Sequence, residues 1–490
     1  QIYVTLIGIA MLPVYLKYIG AEAYGLVGFF AMLQSWFQLL DMGLTPTIAR
    51  ETARHQGGAI NALNLRRLLR ALEGVFVGVA LLGAMGIISA ADFIAAKWLN
   101  VETLPLNEVR NSIMIMGIII ALRWTCGLYR GAIIGFERLV WLGSWNAFIA
   151  TLRFVLVIPL FIFVGTSPTE FFSYQLGVAL LELVVFAAHT YRLLPKEEIT
   201  QHTPWQWQPL RGVLKFSLSI AFTSSVWVLV TQTDKLVLSK LLPLAEYGYF
   251  TLAVLVSGGV MMVSSPISGA IMPRMTRLQA AGDDAGLIQL YRHATQLVTV
   301  VAVPATLILA FFSEQVLWAW TGDALLVSKA APVLTLYALG SGILALGAFP
   351  YYLQFAKGDL KLHLIGNVFF VLLLIPSLIW ATWQFGMIGA GWAWLSANLI
   401  YFLLWVPLVH HRFARGLHWP WLMRDIIFIS MPAIFSAWLV HQIVSWPVER
   451  LAITVQLCVL GTLFMGVACL SSGNIRAYLF HHLQLRTVKR

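Results

Sequence analysis

The sequence predicts an all-α polytopic membrane protein with 14 transmembrane helices, and three observations carry that expectation. The chain is 59% hydrophobic and 11% charged, with a mean hydropathy of +0.81, whereas soluble domains are about 45–50% apolar and about 25% charged. Fourteen apolar runs, each close to the roughly 20 residues that carry a helix across a bilayer, follow one another along nearly the whole chain of 490 residues. Local sequence at the second run recurs at the eighth, Tyr24 and Tyr247 being 223 residues apart.

The first seven runs cover residues 2–18, 24–44, 71–91, 112–131, 140–164, 171–190 and 213–234. Gln1 already lies inside an apolar run, so a native start upstream is expected. The first run leads straight into a second and has no small-residue cleavage site, which argues against a cleavable signal peptide. Ala21-Glu22-Ala23-Tyr24-Gly25 opens the second run, whose exit is basic at Arg50 and Arg54. The remaining runs cover 247–270, 294–312, 330–353, 363–381, 387–409, 425–444 and 451–470. Ala245-Glu246-Tyr247-Gly248 opens the eighth, and its exit is basic at Arg274 and Arg277. Gly135-Phe136-Glu137-Arg138 and Asn146 match Gly358-Asp359-Leu360-Lys361 and Asn367 more loosely, and Ile158-Pro159 echoes Ile375-Pro376. Their common order reads as a duplication. Six spans separate the copies, an even number, so both enter the membrane in the same orientation.

Only helices or closed barrels satisfy backbone polar groups in lipid, and runs this long lack the period-two alternation of barrel strands. The expected organisation is an N-terminal six-helix lobe over 1–195, a cytoplasmic interfacial linker over 196–212, a C-terminal six-helix lobe over 213–411, and a last segment over 412–490. That segment holds two additional helices, which follow Leu417-His418-Trp419-Pro420-Trp421 and have no counterpart in the first half, and a basic cytoplasmic tail.

Orientation follows from the 32 Lys and Arg, because cytoplasmic loops are enriched in them. Alternate loops and the C-terminal tail hold 23, the opposite side 7, and Arg123 and Arg153 lie inside spans. Both termini are therefore expected in the cytoplasm. The net charge of +11 is explained as an orientation signal and an attraction for anionic lipid, without nucleic acid. Cys126, Cys458 and Cys469 fall within spans at no metal-ligand spacing and read as packing. His410 with His411, and His481 with His482, lie at interfacial positions and read as solvated side chains.

An ionisable group near the bilayer centre costs at least about 2.5–3.5 kcal/mol, so it faces a protein interior or a wet cavity. Arg123 and Arg153 lie at mid-depth, and Arg130, seven positions past Arg123, shares its helical face. A guanidinium matches phosphate with paired donors and keeps its charge, which suits a diphosphate. The alternative is that Arg153 pairs with Glu182 of the neighbouring span to brace the lobe. Gln34, Gln38, Asp41 and Thr45 fall at i, i+4, i+7 and i+11, one polar face of the second span. The shifted positions in the eighth are Ser257, Met261, Ser264 and Ser268. Cavity lining and helix packing both account for this stripe. Ser217, Ser224, Thr231, Gln232 and Asp234 form a comparable face on the seventh span, with Asp234 read either as an ion pair with Lys235 or as an ion-coupling carboxylate. The chain carries no G-x-x-x-x-G-K-[ST] phosphate loop. Its longest outer loop, 92–110, has no paired acidic motif of the kind a membrane glycosyltransferase uses, so a transporter is expected and not an enzyme.

At Leu12-Pro13-Val14-Tyr15-Leu16-Lys17-Tyr18-Ile19-Gly20-Ala21-Glu22-Ala23-Tyr24-Gly25, and again at Thr233-Asp234-Lys235-Leu236-Val237-Leu238-Ser239-Lys240-Leu241-Leu242, the chain resembles Wzx-type bacterial polysaccharide flippases. Their superfamily also contains lipid II flippases and multidrug MATE exporters. The resemblance implies two pseudo-symmetric six-helix bundles in a MATE-like V, with a central cavity that alternates its access. It implies movement of undecaprenyl-diphosphate-linked glycan from the cytoplasmic to the periplasmic leaflet of the bacterial inner membrane, for polysaccharides of the O-antigen and lipopolysaccharide type. Arg123, Arg130, Arg153, Gln34, Gln38, Ser257 and Ser264 would then contact substrate. Asp41, Asp234 and Glu182 would be ion-coupling candidates. No cofactor is expected beyond a coupling proton or sodium ion. The expected partners are the lipid-linked glycan, membrane lipid, a polysaccharide polymerase and chain-length machinery. An ion-coupled exporter of small cations, or a glycan polymerase or ligase, is the alternative.

Overall fold

A computed structural model describes residues 2–194, 225, 228–473 and 476, and every regular element among them is helical. The linker 196–212, Ser217, Ser224, His481 and His482 lie outside the described residues, as does the side chain of Ser268. Among the described residues, eleven helices are long and apolar enough to cross a membrane, and two of these are broken at a glycine. Every predicted run except the seventh falls on described helices; the seventh is described only at residue 225 and over 228–234. Phe163, Trp383 and Leu82 are 83%, 77% and 69% exposed, as side chains solvated by lipid should be.

Contacts group the chain into two units, Gln1–Gly248 and Tyr249–Arg490. The first contains α1 (Ile2–Phe37), α2 (Leu44–Gln56), α3 (Ala62–Phe93), α4 (Leu106–Gly135), α5 (Leu139–Phe154), α6 (Ile158–Phe163), α7 (Pro168–Leu193) and α8 (228–241). The helix α9 (Leu244–Ser257) begins in it. Gly20, at φ 81° and ψ 169°, breaks α1 between the first two predicted spans. At the end of α1 a 3-10 turn (Gln38–Asp41) runs into Met42 and Gly43, at φ 46° and 70°, before α2 starts. Asp41 makes this break possible by accepting Thr45 N at 3.2 Å and Thr45 Oγ1 at 2.6 Å, which satisfies donors of the new helix.

Small residues then set how α2 lies on α4. A Cβ on Gly131 or Gly135 would sit 2.6 Å from the carbonyl oxygen of Thr45 or 2.4 Å from that of Ala49, so only hydrogen fits at that crossing. The helix α7 starts on a capping box in which Ser167 Oγ accepts Glu170 N and Glu170 accepts Ser167 N. It packs along α4, and the paired positions Arg123–Gln175 and Arg130–Glu182 keep a constant offset of 52, so the two helices run parallel.

The second unit holds the rest of α9, α10 (Gly259–Ala280), α11 (Asp284–Phe311), α12 (Ser313–Thr321), α13 (Ala324–Gly347), α14 (Phe349–Ala356), α15 (Lys361–Phe413), α16 (His418–Pro420), α17 (Phe428–Ile443) and α18 (Arg450–Ser471). The helix α15 is a hairpin folded at Gly386, φ 58°. Phe369 stacks on Trp405 at 5.7 Å and Phe370 meets Tyr401 at 5.6 Å, pairs symmetric about that turn. A Cβ on Gly389 would fall 1.9 Å from the Ala381 oxygen, so the return is tight. The last two helices dock on α11: Val300 and Leu307 pack with Ile429, Ala433, Leu460 and Phe464. A π-helical turn (Trp421–Ile427) supplies Asp425, wholly buried, to Arg292 and Gln296 of α11.

Candidate functional site

The three arginines singled out from sequence come together between α4, α5 and α7. Arg153 Nη2 lies 2.8 Å from Glu182 Oε2, and Arg130 Nη2 lies 3.3 Å from Glu182 Oε1. Glu182 is buried, whereas the side chains of Arg153 and Arg130 are 22% and 43% exposed. The expected brace between Arg153 and Glu182 is therefore present, but its carboxylate is shared with a second guanidinium.

Arg123 pairs with a neutral group. Its Nη2 donates to Gln175 Oε1 at 2.9 Å, and Gln175 Nε2 donates to the backbone oxygen of Arg153 at 3.0 Å, so one amide joins two of the arginine positions. The same carbonyl accepts the Tyr15 hydroxyl at 3.0 Å. Aromatic faces complete the setting: Arg123 lies 5.4 Å from the Phe30 ring centre and Arg130 5.5 Å from that of Phe186. Glu182 is thus the one carboxylate that these three cations pair with among the described residues. Among the described residues, the Nε atoms of Arg123, Arg130 and Arg153 are buried and meet no hydrogen-bond partner. Desolvated N–H groups of this kind cost about 1–3 kcal/mol each until an acceptor arrives. Among the described residues, the cluster thus holds three guanidiniums and one paired carboxylate.

The polar stripe of the second span needs correction. Gln34 lies within α1, Gln38 starts the 3-10 turn, and the break at Met42 and Gly43 puts Thr45 on a different helix, so these residues do not share one helical face. Asp41 is engaged with Thr45 as a cap. The counterpart stripe is also interrupted, since α9 ends at Ser257 and α10 begins at Gly259. Ser257 donates to Val254 O at 2.7 Å and Ser264 to Met261 O at 3.0 Å, each turned back onto its own chain. Asp234, buried, accepts Lys235 N at 2.7 Å and faces Lys235 Nζ at 3.5 Å, with that ammonium also donating to Thr231 O at 2.6 Å. The ion pair read from sequence is formed. His410 is corrected as well: it is wholly buried, not solvated.

Three further residues make strong contacts, and of these only Glu73, an ionisable group near the start of the third span, stood out as a weak candidate in the sequence. Glu22, inside the repeated motif, accepts the consecutive backbone N–H groups of Glu102, Thr103 and Leu104, the last two at 2.9 Å, and the Thr103 hydroxyl. Asn100 accepts Leu244 N at 2.9 Å through its carbonyl and donates to Lys240 O at 3.0 Å through its side chain. Glu73 accepts the hydroxyls of Tyr129 and Tyr191 at 3.0 and 2.7 Å. The recurrence of Glu22 as Glu246 was the signal that could have found the first; a lone Asn in a loop carries none. A cleft of about 260 Å³ lies elsewhere, along one face of α11 by Ile288, Gln289, Arg292, His293 and Gln296.

Comparison with solved structures identifies the architecture. The chain is similar to the lipid II flippase MurJ in an inward closed conformation, at 12% identity and a TM-score of 0.72, covering 96% of each chain. It is similar to an inward-facing multidrug resistance MATE family transporter of the MOP superfamily, at 14% identity and a TM-score of 0.68, over 85% of this chain and 95% of that one. A MOP superfamily transporter from Pyrococcus furiosus matches at 12% identity and a TM-score of 0.51, over 85% and 96%. Likeness at these identities speaks for the fold alone, which the chain shares with these three structures. No curated protein sequence matches. The family model described as polysaccharide biosynthesis protein matches residues 1–279, more than half of the 490, and the chain belongs to that family.

Proposed function

We propose that this protein is a flippase that carries polyprenyl-diphosphate-linked oligosaccharide from the cytoplasmic to the periplasmic leaflet of a bacterial inner membrane. The observation that supports this reading is the imbalance in the first unit among the described residues: three guanidiniums within predicted spans, one carboxylate paired with them, and three buried Nε–H groups without acceptors. A diphosphate supplies several oxygen acceptors and the missing negative charge, and bidentate guanidinium–phosphate contacts are the strong, charge-assisted kind. The glycan would ride in a hydrated path while the polyprenyl tail stays in lipid. The products would be cell-surface polysaccharides of the O-antigen or lipopolysaccharide type, handed to a polymerase and its chain-length partner.

Alternating access needs an energy source, and a proton or sodium gradient is the one we favour. Asp41 and Asp234 are the coupling carboxylates to test first; Glu182 is committed to two arginines and serves as their anchor. The same imbalance disfavours an exporter of cations, which the surplus positive charge would repel.

The experiment is reconstitution into liposomes with a fluorescent undecaprenyl-diphosphate disaccharide, following its accessibility to a membrane-impermeant quencher under imposed ion gradients. Protein-dependent sidedness reversal is expected, and cells lacking the protein should accumulate the lipid-linked repeat on the inner leaflet. Accumulation of unpolymerised glycan already exposed outside would point instead to an enzyme.

A further inference from the structure

His410 lies near the end of α15 and is 0% exposed. Its Nε2 lies 2.7 Å from the Tyr291 hydroxyl of α11, and its Nδ1 lies 3.1 Å from Nδ1 of His418, the half-buried first residue of α16. Trp421 packs edge-on against the His410 ring at 4.7 Å and donates its indole N–H to Thr295 Oγ1 at 2.9 Å. The connector between the end of α15 and the last helical pair is therefore held by two imidazoles and an indole.

Two Nδ1 atoms at this distance share a single proton. With none, lone pairs oppose each other; with two, N–H groups do. The phenol of Tyr291 is the natural donor to Nε2 of His410, which leaves a neutral His410 with its proton on Nδ1 and makes His418 the acceptor. His410 has no access to solvent, so His418 is the partner that can exchange protons with the cytoplasmic side. Its protonation at Nδ1 points a second N–H at the first.

The other ionisable groups nearby are accounted for. On α11, Tyr291 is the phenol of the chain, Arg292 is paired with Asp425 of the π-helical turn at 2.7 and 3.1 Å, and His293 is exposed. On α15, His411 and Arg412 are exposed, Arg415 beyond it and Arg424 in the π-helical turn likewise, and α14 presents the apolar Phe349 to Tyr291. Apart from Tyr291, none of these hydrogen-bonds to either imidazole among the described residues.

We propose that the His410–His418 contact is a proton-operated latch, which ties the start of the last helical pair to the end of α15 and releases it when His418 takes a second proton. The pair is also docked through Asp425 and the apolar face of α17, so release loosens the connector 414–421 before it loosens the pair. Acidification on the cytoplasmic side would act there, whatever the transported molecule is.

The test is backbone amide exchange by mass spectrometry on the full chain in lipid nanodiscs, corrected for the intrinsic pH dependence of exchange. Between about pH 8 and about pH 5, the interval in which histidine ordinarily changes charge, residues 414–421 should exchange roughly tenfold faster at the acid end, as loss of one buried hydrogen bond allows. His418→Asn keeps an acceptor that cannot be protonated and should stay protected throughout. His418→Lys carries a permanent donor and should exchange fast throughout. Equal protection of the wild type at both ends, or a persisting change in His418→Asn, overturns the latch. Because no substrate is involved, failure of the flippase reading leaves this result standing, and the reverse.

Discussion

Gly25 and Gly248, the glycines that end the two copies of the repeated motif, lie back to back. A Cβ on Gly25 would fall 2.2 Å from the carbonyl oxygen of Leu244, four residues before Gly248. A Cβ on Gly248 would fall 2.8 Å from the carbonyl oxygen of Ala21, four residues before Gly25. The contact is reciprocal, as a two-fold relation between duplicated segments requires, and it gives the repeat a physical reason: the start of α9 approaches α1 too closely for any side chain. Loop 99–104 sits over the same place, held by Glu22 on one side and by Asn100 to residues 240 and 244 on the other.

Alanine at Gly25 should therefore destabilise the protein by about 1–3 kcal/mol, the usual cost of forcing a methyl into a filled contact, with Gly248→Ala somewhat milder. Gly78, in the middle of α3 with nothing among the described residues within 4 Å of its missing Cβ, is the control. Its alanine variant should gain up to about 1 kcal/mol from helix propensity. Thermal unfolding of the detergent-purified variants reads all three, and a Gly25→Ala protein as stable as Gly78→Ala would refute the close packing.

Glu182→Gln should be the most damaging single change in the first unit. It removes the charge that Arg130 and Arg153 share and leaves two guanidiniums facing each other, and breaking a buried pair from one side costs about 3–5 kcal/mol. Arg130→Ala, at a side chain 43% exposed, should cost under about 1 kcal/mol. Recovery of monodisperse protein and its midpoint of unfolding distinguish the two. Equal losses would mean that Glu182 is not the anchor of the cluster.

The membrane class, the helix positions and the arginine trio were legible because each follows from a strong local rule. Apolar length gives spans, and a cation at mid-depth must face protein. What stayed hidden was anything that depends on a backbone break or on a distant partner. The polar stripe from Gln34 to Thr45 presumed an unbroken helix, although Gly43 and Pro46 beside Asp41 already carried the marks of a helix stop and restart. His410 looked interfacial by position, and only the fold brings Tyr291 and His418 to it across 119 and 8 residues. Asp425, next to Arg424 in an otherwise apolar stretch, gave no sign of Arg292 or Gln296, its partners on α11.

Asp41 offers a clean separation of structural and coupling roles. As a cap on α2 its loss in Asp41→Ala should cost about 1 kcal/mol, while Asp41→Asn retains an acceptor for Thr45 and should be nearly as stable as the wild type. If Asp41 also carries the coupling ion, Asp41→Asn abolishes the gradient dependence of flipping at unchanged stability. Gradient dependence intact in Asp41→Asn would leave Asp234 as the carboxylate to substitute next.

Arg123 should matter to transport more than to folding, because its partner is the neutral Gln175 and its removal strands no opposite charge. Arg123→Ala is expected to reach the membrane folded, with a midpoint of unfolding close to that of the wild type, and to lose glycan flipping in the liposome assay. Arg123→Lys keeps the charge but loses the planar fork, so it should retain a fraction of the rate. Gln175→Leu, which leaves the guanidinium in place without its positioning amide, should fall between the two. The order alanine, leucine at 175, lysine, wild type in rate, against near-constant stability, is the signature of a guanidinium that contacts the diphosphate. Wild-type flipping by Arg123→Ala would remove it from the site and leave Arg130 and Arg153 as the cationic pair.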